Sequence, residues 1–453
     1  MKTFWSAPAQ WHFVITLVAC LQWPLSAATT PRPPNIVLIL ADDLGYECFG
    51  AYGGTSYKTP AIDKLAAGGM RFDRAYMLPS CSPTRVQLMT GISGKRNYLY
   101  WACIDPESVT FGNTLRKAGY STCMVGKWQL GPELDLPKKM GFDEHCLWQH
   151  TRVGARYANP ALEINGVPHT YKNGEYGPDI VGDYALDFIE RKKDQPFLLY
   201  YSMMLAHSPM QPTPANPKYN PKAFGEKHGG PYLTDMIEYM DKLIGKLVAK
   251  LDAHGLRENT LIVFAGDNGT TSGTKSRVGN KLVIGAKNTP TDAGTHVPLI
   301  VNWPGRIRAG SSCADLIDST DYLPTFVELA GTRLPKDLEV DGRSFYPQLM
   351  GQRGNPREWI FSWWSTRKDD TRDLNAKEYA FTHNFKLYTT GEFYDMCRDI
   401  EEKQPLKMDH LQGEAAAAAN VLKGVLAEFK KVTPTKPNYK PAKAVDIREV
   451  AAN

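Results

Sequence analysis

The chain has 453 residues, of which 42% are hydrophobic and 22% charged, and its formal net charge is +5 at pH 7. This length exceeds one ordinary domain and suits one large α/β domain with an appendage. The composition is normal for a globular protein, so a fibrous or disordered chain is excluded. The mildly basic balance would suit an anionic substrate but is equally ordinary surface chemistry, and we expect no nucleic-acid partner.

The first 28 residues have the pattern of a cleavable export signal. Lys2 is followed by a mostly apolar stretch over residues 11–20, and small residues follow at 26–28. A buried helix or a membrane anchor is the alternative, but the apolar stretch is too short and too interrupted for a span. We therefore predict a signal peptide over residues 1–28, a periplasmic or secreted mature protein, and no stable membrane insertion.

The cysteines show neither CxxC nor any other metal-like spacing. Cys20 would leave with the signal, so an odd number stays in the mature chain. Some of these could pair in an oxidising compartment, in a connectivity that the sequence does not define. The eight positions are Cys20, Cys48, Cys81, Cys103, Cys123, Cys146, Cys313 and Cys397.

Continuously apolar segments alternate with helical ones over the first three hundred residues. Residues 35–41 are apolar without alternation, which is typical of a strand buried on both faces. Similar strands are predicted at 196–201, 261–265 and 297–301. Helices are predicted at 62–67, 184–192, 232–251 and 321–329. This order predicts an α/β fold with a large mixed, mostly parallel sheet sandwiched by helices.

The pattern changes after residue 355. Short aromatic segments at 358–364, 379–382 and 385–388 predict a smaller C-terminal antiparallel sheet. A terminal helix is predicted at 415–431. The predicted organisation is a main α/β domain over 29–355, a small α+β subdomain over 356–432 and a loose tail over 433–453.

Polar side chains follow two of the apolar strands directly. Asp42 and Asp43 end the first strand, and Asp267 and Asn268 follow the strand at 261–265. Each pair alone is also a common turn sequence. Because the carboxyl ends of parallel strands meet in one crevice, we expect the two pairs to lie together. Their hard oxygen atoms predict a Ca²⁺ site, with Mg²⁺ as the alternative, rather than a zinc site.

Cys81 stands at a predicted helix start. Pro83 pre-sets the first helical turn, so Cys81 should lie just ahead of the helix N-terminus, where free N–H groups favour an anion. Arg85 adds a cation one turn in. An acidic, exposed thiol is expected here, although half of a disulfide or an ordinary helix start fits these residues equally well.

The segment Cys81-Ser-Pro-Thr-Arg85, followed by Leu-Met-Thr-Gly over residues 88–91, resembles the signature of the type I sulfatases. This formylglycine-dependent, arylsulfatase-like family belongs to the alkaline phosphatase superfamily. The resemblance extends over roughly residues 34–400. It implies that Cys81 is oxidised to formylglycine, and that Asp42, Asp43, Asp267 and Asn268 bind calcium together with the modified Cys81.

Four further segments resemble the family in the same order. Lys127 lies in a glycine-lysine-tryptophan turn, and His207 in a loop after a buried strand. Lys287 precedes Pro298 by eleven residues, as the sulfate-binding lysine of the family precedes its valine-proline strand. Phe393-Tyr-Asp resembles a motif of the family's small C-terminal domain.

The resemblance implies a two-step reaction on a sulfated small molecule or glycan. A hydroxyl of the hydrated formylglycine attacks sulfur, while the cation, Lys127 and Lys287 neutralise the sulfate oxygens. His207 protonates the departing alcohol, and Arg85 holds the hydrate. A formylglycine-generating or equivalent maturation enzyme is then a required partner. The segment 146–176, with Trp148, His150 and Arg152, carries no readable substrate code.

The chain departs from the family at a few positions. Gln129 stands where the family has a histidine that contacts formylglycine and can act as a base, and glutamine cannot take a proton at neutral pH. His296 is a candidate replacement, although it occupies the position of a family arginine. Thr84 replaces a serine, and the loop 288–292 is altered.

Two other functions stay open at this stage. One is a phosphoester hydrolase of the same superfamily, and the other is a sulfated-glycan-binding relative with weak turnover because of Gln129.

Overall fold

The computed structural model describes residues 1–5, 32–99, 102–149, 155–222, 231–365 and 376–433. It divides into two units, Met1–Arg32 and Pro33–Asn453. The described residues of the first unit form no helix or strand. The predicted signal over 1–28 lies outside the described residues except at 1–5, and so do His150, Arg152 and nearly all of the predicted tail.

The described part of the second unit holds strands in three sheets. They are β1 (Asn35–Ala41), β2 (Met70–Tyr76), β3 (Ser121–Lys127), β4 (Glu144–Trp148), β5 (Ala161–Ile164), β6 (Val167–Thr170), β7 (Phe197–Ser202), β8 (Thr260–Gly266), β9 (Lys275–Val278), β10 (Lys281–Ile284), β11 (His296–Asn302), β12 (Ser311–Asp318), β13 (Ile360–Trp364), β14 (Lys377–Phe381), β15 (Phe385–Tyr388) and β16 (Phe393–Asp395).

Helices connect these strands. They are α1 (Pro60–Ala67), α2 (Cys81–Thr90), α3 (Gly94–Asn97), α4 (Phe111–Lys117), α5 (Leu136–Lys139), α6 (Gly177–Lys192), α7 (Leu233–Ala253), α8 (Asp292–Thr295), α9 (Tyr322–Leu329), α10 (Tyr346–Leu349) and α11 (Gly413–Lys430), with 3-10 turns at Tyr46–Cys48, Gly50–Tyr52, Arg257–Asn259, Ser319–Asp321 and Met408–His410. Among the residues described, no helix has the length and apolar character needed to cross a membrane.

The largest sheet has ten strands in the order β12-β2-β11-β8-β1-β7-β3-β4-β5-β6. The five central strands from β8 to β4 all run parallel. β11 runs antiparallel to both of its neighbours, and β5 and β6 form an antiparallel edge. The prediction of a large, mixed and mostly parallel sheet is confirmed.

The burial of both faces of β1 explains why its sequence is continuously apolar. Successive side chains of a strand point to opposite faces of the sheet. Ile36 and Leu38 pack in one core with residues of α4 and α9, whereas Val37 and Ile39 pack in the other with residues of α1, α6 and α7. Both faces are covered by helices, so neither set of alternate positions tolerates a polar residue.

Several strands of this sheet were not predicted from the sequence. In β2 the buried Met70 and Phe72 alternate with the partly exposed Arg71 and Asp73, so the segment lacks a continuous apolar signal. Its position is set instead by pairing with β11 and β12 on its two sides. The unpredicted strands of this sheet are β2, β3, β4, β5, β6 and β12, and those of the other two sheets are β9, β10 and β16.

The smaller C-terminal sheet is antiparallel throughout, in the order β13-β14-β15-β16. Helix α11 covers it, and the ring of Phe429 stacks on Phe361 with centroids 3.7 Å apart. This sheet was predicted, and the predicted terminal helix lies at Gly413–Lys430. The seven cysteines that the structure describes are all free, so none of them forms the disulfides that the sequence left open.

We predict that Phe429→Ala destabilises the C-terminal sheet. The ring is 7% exposed and lies in the last turn of α11, so the loss should be about 3 kcal/mol, the lower end for a buried phenylalanine. Urea unfolding measures it. Val421→Ala is the control on the same helix, because Val421 is 45% exposed and its loss should stay within about 0.5 kcal/mol. Equal losses would contradict the packing role of Phe429.

Candidate active site

The carboxyl ends of four adjacent parallel strands form one polar cluster. Asp42 and Asp43 follow β1, and Asp267 and Asn268 follow β8. Lys127 is the last residue of β3, and the loop after β7 carries the histidine at 207. The two acidic pairs, 224 residues apart in sequence, are joined directly by a bond from the Asp43 N–H to Asp267 Oδ1 at 3.0 Å. The residues that the sequence singled out are therefore brought together.

Asp42 is fully buried and is paired with two cations. Lys127 Nζ lies 2.8 Å from both carboxylate oxygens, and Arg85 lies 3.7 Å from Oδ1. Burial opposes ionisation of Asp42, but Lys127, His207 and Arg85 outweigh it and hold its pKa well below the ordinary value.

Asp43 has a left-handed backbone, with φ of 63°. Its carboxylate accepts from Lys287 Nζ at 2.7 Å and from Asn268 Nδ2 at 2.9 Å. His207 Nε2 lies 3.7 Å from its Oδ2. Burial is again outweighed, here by His207 and Lys287, so the pKa of Asp43 is lowered. Lys287 in turn has a raised pKa, because Asp43 overcomes the cost of its burial.

Asp267 differs from the other two carboxylates. Burial and the charge of Asp42 raise its pKa to about 7, although Arg85 donates to its Oδ2 at 2.7 Å. Repulsion between neighbouring carboxylates does not raise the pKa values of Asp42 and Asp43 in the same way, because each has a lysine of its own.

Arg85 connects the cluster to the neighbouring strands. It lies one turn into α2, is fully buried, and donates to Asp267 and to the hydroxyl of Ser202 at the end of β7. Ser202 in turn donates to the Lys127 carbonyl at 2.6 Å. Ser202 was not predicted from the sequence, where its one signal is a polar residue at the end of an otherwise apolar or aromatic strand.

Gly126 allows Lys127 to reach this position. A Cβ at Gly126 would lie 1.9 Å from the Ser202 carbonyl oxygen, and its φ of +97° is one that side chains disfavour. Glycine therefore permits the close approach of β3 to β7 that aims the next residue at Asp42.

Cys81 is buried more deeply than the sequence indicated. It is the first residue of α2 rather than the residue before it, and it is only 4% exposed, because almost all of α2 is enclosed by the fold. The expectation of an exposed thiol is wrong. Its Sγ donates to Gln129 Oε1 at 3.2 Å. Gln129 itself has a left-handed backbone, with φ of 49°.

His207 has a defined orientation at the edge of the cluster. Its Nδ1 lies 2.6 Å from the Ser208 carbonyl oxygen, which can only accept, so Nδ1 carries the proton. Nε2 therefore faces Asp43. Burial lowers the pKa of His207 to about 4, although Asp42 and Asp43 favour the charged form.

His296 does not join these residues. Its Nδ1 lies 3.3 Å from Asp292 Oδ2, its Nε2 lies 3.1 Å from the Asp73 carbonyl oxygen, and its ring stacks on Tyr76. Both ring nitrogens are thus engaged in other contacts. The suggestion that His296 replaces the family histidine at position 129 has no support in this geometry.

The donor set fits a hard divalent cation. Asn268 donates through its amide nitrogen, whereas its buried Oδ1 has no hydrogen-bond partner among the described residues. Ligand atoms of Asp42, Cys81 and Asp267 lie within 4.8 Å of one another, as do those of Asp42, Asp43 and His207. An amide oxygen without a partner beside three carboxylates is the arrangement that Ca²⁺ would complete.

A sequence model of the sulfatase family matches residues 34–332. The chain belongs to the sulfatase family. A second family model, described as N-sulphoglucosamine sulphohydrolase, C-terminal, matches residues 287–431. Arylsulfatase A from Homo sapiens is 34% identical over 87% of this chain and 86% of its own. N-acetylgalactosamine-6-sulfatase from Rattus norvegicus is 33% identical over 72% of this chain and 67% of its own. This sulfatase is a sulfuric ester hydrolase.

Solved structures share the fold of this sulfatase. One is described as a complex with its substrate D-glucosamine-2-N,6-O-disulfate, with a TM-score of 0.73 at 21% identity, covering 90% of this chain and 100% of that one. The PsFucS1 sulfatase from Pseudoalteromonas sp. has a TM-score of 0.72 at 24% identity, covering 91% and 92%. At these identities the likeness is one of fold.

We predict that the sulfatase binds one Ca²⁺ and that Asn268→Ala weakens this binding about tenfold or more, because it removes a neutral oxygen ligand. Calorimetric titration of the chelator-treated protein measures the affinity. Asn35→Ala is the control, since Asn35 is also fully buried but lies at the opposite end of β1. Unchanged Ca²⁺ affinity in Asn268→Ala would contradict the assignment.

Proposed function

We propose that this sulfatase removes sulfate from a sulfated carbohydrate, using Cys81 in its formylglycine form and a bound Ca²⁺. The observation that carries the proposal is the position of Cys81. Its Sγ shares one small buried cluster with Asp42 and Asp267, and two lysines and a histidine contact Asp42 and the adjoining Asp43. Such a cluster joins a nucleophile position to groups that neutralise anionic charge.

Two groups would complete the site. Oxidation of Cys81 to formylglycine would supply, as a hydrated aldehyde, a hydroxyl nucleophile for sulfur. Ca²⁺ held by Asp42, Asp43, Asp267 and Asn268 would act as a Lewis acid that polarises a sulfate oxygen.

The lysines would neutralise the substrate. Lys127 and Lys287 each contact one carboxylate, and each ammonium group has further N–H donors for a sulfate oxygen. Three carboxylates face three basic side chains, so a divalent cation would leave the cluster positive. A positive, buried cluster favours a sulfate monoester over a neutral ligand.

His207 would supply the proton for the departing alcohol oxygen. Its Nδ1 is held by the Ser208 carbonyl, so Nε2 is the atom that faces the cluster. The negative charge of a bound sulfate ester would favour the protonated ring. Arg85 would hold the modified side chain, since its hydrogen bonds to Asp267 and Ser202 fix the guanidinium group.

Gln129 would orient the nucleophile without moving a proton. It already accepts from Cys81 through Oε1, so a hydroxyl at that position could make the same bond. A glutamine holds this bond in one protonation state and takes up no proton. We infer that release of sulfate is the slow step.

Support for a carbohydrate substrate comes from the relatives. Similar proteins act, by their names, on N-acetylgalactosamine 6-sulfate, and the relative at 34% identity is named arylsulfatase A. We also propose that the chain is exported through the signal over residues 1–28 and that a formylglycine-generating or equivalent enzyme matures it. The domain boundaries at residues 355 and 432 are likewise proposals.

We predict that the protein hydrolyses 4-nitrophenyl sulfate and that Cys81→Ala reduces this to background. Lys287→Ala should lower kcat by about 10²–10³-fold, because it removes a cation aimed at developing charge. Lys250→Ala is the control, since Lys250 lies on α7 and pairs with Glu190 of α6. Faster turnover of 4-nitrophenyl phosphate would show instead that the enzyme is a phosphoester hydrolase.

The mass of the Cys81 peptide from active enzyme tests the modification. We predict the mass of an aldehyde in place of a thiol, with the unmodified peptide absent from the fully active fraction. An unmodified thiol in active enzyme would refute the role of formylglycine.

We predict that Gln129→His raises kcat on 4-nitrophenyl sulfate by about tenfold or more, because an imidazole can take the proton that glutamine cannot. Gln129→Ala should give no gain, since it supplies no base. If the wild-type protein has almost no sulfatase activity and Gln129→His has a much larger one, the protein is a glycan-binding relative with weak turnover. No gain in the histidine variant would contradict a slow release step.

A further inference from the structure

A second positive group lies beside the cluster, and it has no carboxylate partner in the part of the chain that the structure describes. Trp148 is the last residue of β4 and is paired in register with Lys127 of β3, so it lies at the same edge of the sheet. The guanidinium of Arg156 lies over the Trp148 ring, 3.9 Å from its centroid.

Arg156 is buried but incompletely bonded. Only 9% of the residue is exposed, and its buried Nη1 has no hydrogen-bond partner among the described residues. A buried guanidinium nitrogen without an acceptor is unfavourable, because it has lost its hydrogen bonds to water. Such a cost is tolerated where a ligand supplies the acceptor, and stacking on tryptophan keeps the guanidinium plane fixed in the meantime.

The other cations of the site are already committed. Lys127, Arg85 and Lys287 each lie within ion-pair distance of a carboxylate. Within the described part of the chain, Arg156 has no carboxylate at that distance.

The chain next to Arg156 leads directly to His207. Tyr157 donates its hydroxyl to the Met204 carbonyl at 2.9 Å and also to the His207 carbonyl. The positive charge of Arg156 is one of the influences that lower the pKa of His207. Arg156 thus lies near the histidine that would protonate the departing alcohol.

We propose that Arg156 is a specificity-determining residue that binds a second oxyanion of the substrate, a carboxylate or another sulfate, carried by the sugar part of the ester. This inference rests on the proposed function, because His207 marks the position of the leaving alcohol. A planar guanidinium matches either oxyanion through paired N–H donors. The substrate class is then a polyanionic saccharide rather than a neutral sugar with one sulfate.

The test compares three substrates that differ in the second anion. The reference probe is N-acetylgalactosamine 6-sulfate, called neutral here because its sugar carries no anion besides the sulfate ester itself. The anionic probes are its 4,6-disulfate and a disaccharide in which a glucuronate neighbours the same sulfated sugar. The ratio of kcat/KM between anionic and neutral probes should fall about 10–100-fold in Arg156→Gln, the value of a charge-assisted hydrogen bond. The loss should appear as a higher KM with kcat unchanged, because the contact is present both in the bound substrate and in the transition state.

Arg306→Gln is the matched control, since Arg306 also lies over a tryptophan, 5.8 Å from the Trp303 ring centroid. Its ratio should equal that of the wild type. Arg156→Lys should retain part of the preference, and thermal unfolding verifies that each variant folds. Which anionic probe loses more in Arg156→Gln identifies the oxyanion.

Binding of free glucuronate and of N-acetylgalactosamine 4-sulfate is also measured by calorimetry, so the result does not depend on turnover. The inference is supported if the affinity for at least one of these two ligands falls about tenfold or more in Arg156→Gln. Equal affinity in wild type and variant, or a loss shared equally by neutral and anionic probes, overturns it. Wild-type protein that binds these anions through Arg156 but hydrolyses no sulfate ester would refute the proposed function alone.

Discussion

Three carboxylates at one edge of the sheet are the constraint on which the site depends. Asp42, Asp43 and Asp267 are almost completely buried, and removing a carboxylate from water costs several kcal/mol even after relaxation. The set is stable because each member has a cation of its own. Breaking one such buried pair costs about 3–5 kcal/mol, which exceeds most single contacts in a core. The paired cations are Lys127, Lys287 and Arg85.

This charge balance links folding to function. The pairs hold β1, β3, β8 and α2 together through charges of the chain itself, so the fold organises the cluster. In the same cluster, the Asn268 amide oxygen has no hydrogen-bond partner among the residues that the structure describes. A divalent cation would meet that oxygen and make the cluster positive, which is the field that a sulfate ester requires. Arg156, stacked on Trp148, would extend this field toward the sugar.

Much of the fold could be predicted, because strands covered on both faces have a strong local signal. β1, β7, β8 and β11 are such strands, and all four were recognised from their apolar runs. β2 and β3 were missed because charged, small or polar residues interrupt their sequences. Their places are set by pairing with distant strands, and a local pattern carries no information about that pairing.

The sequence by itself determined which residue types end the central strands, and therefore that carboxylates and an amide would meet at one edge. It also placed Cys81 at a helix start through Pro83. Only the tertiary structure decided that Cys81 is buried and that Ser202 and Arg156 belong near the site. The reason is that such contacts join segments distant in the chain: 48 positions separate Cys81 from Gln129, and 117 separate Arg85 from Ser202. Sheet order and helix packing create such neighbours.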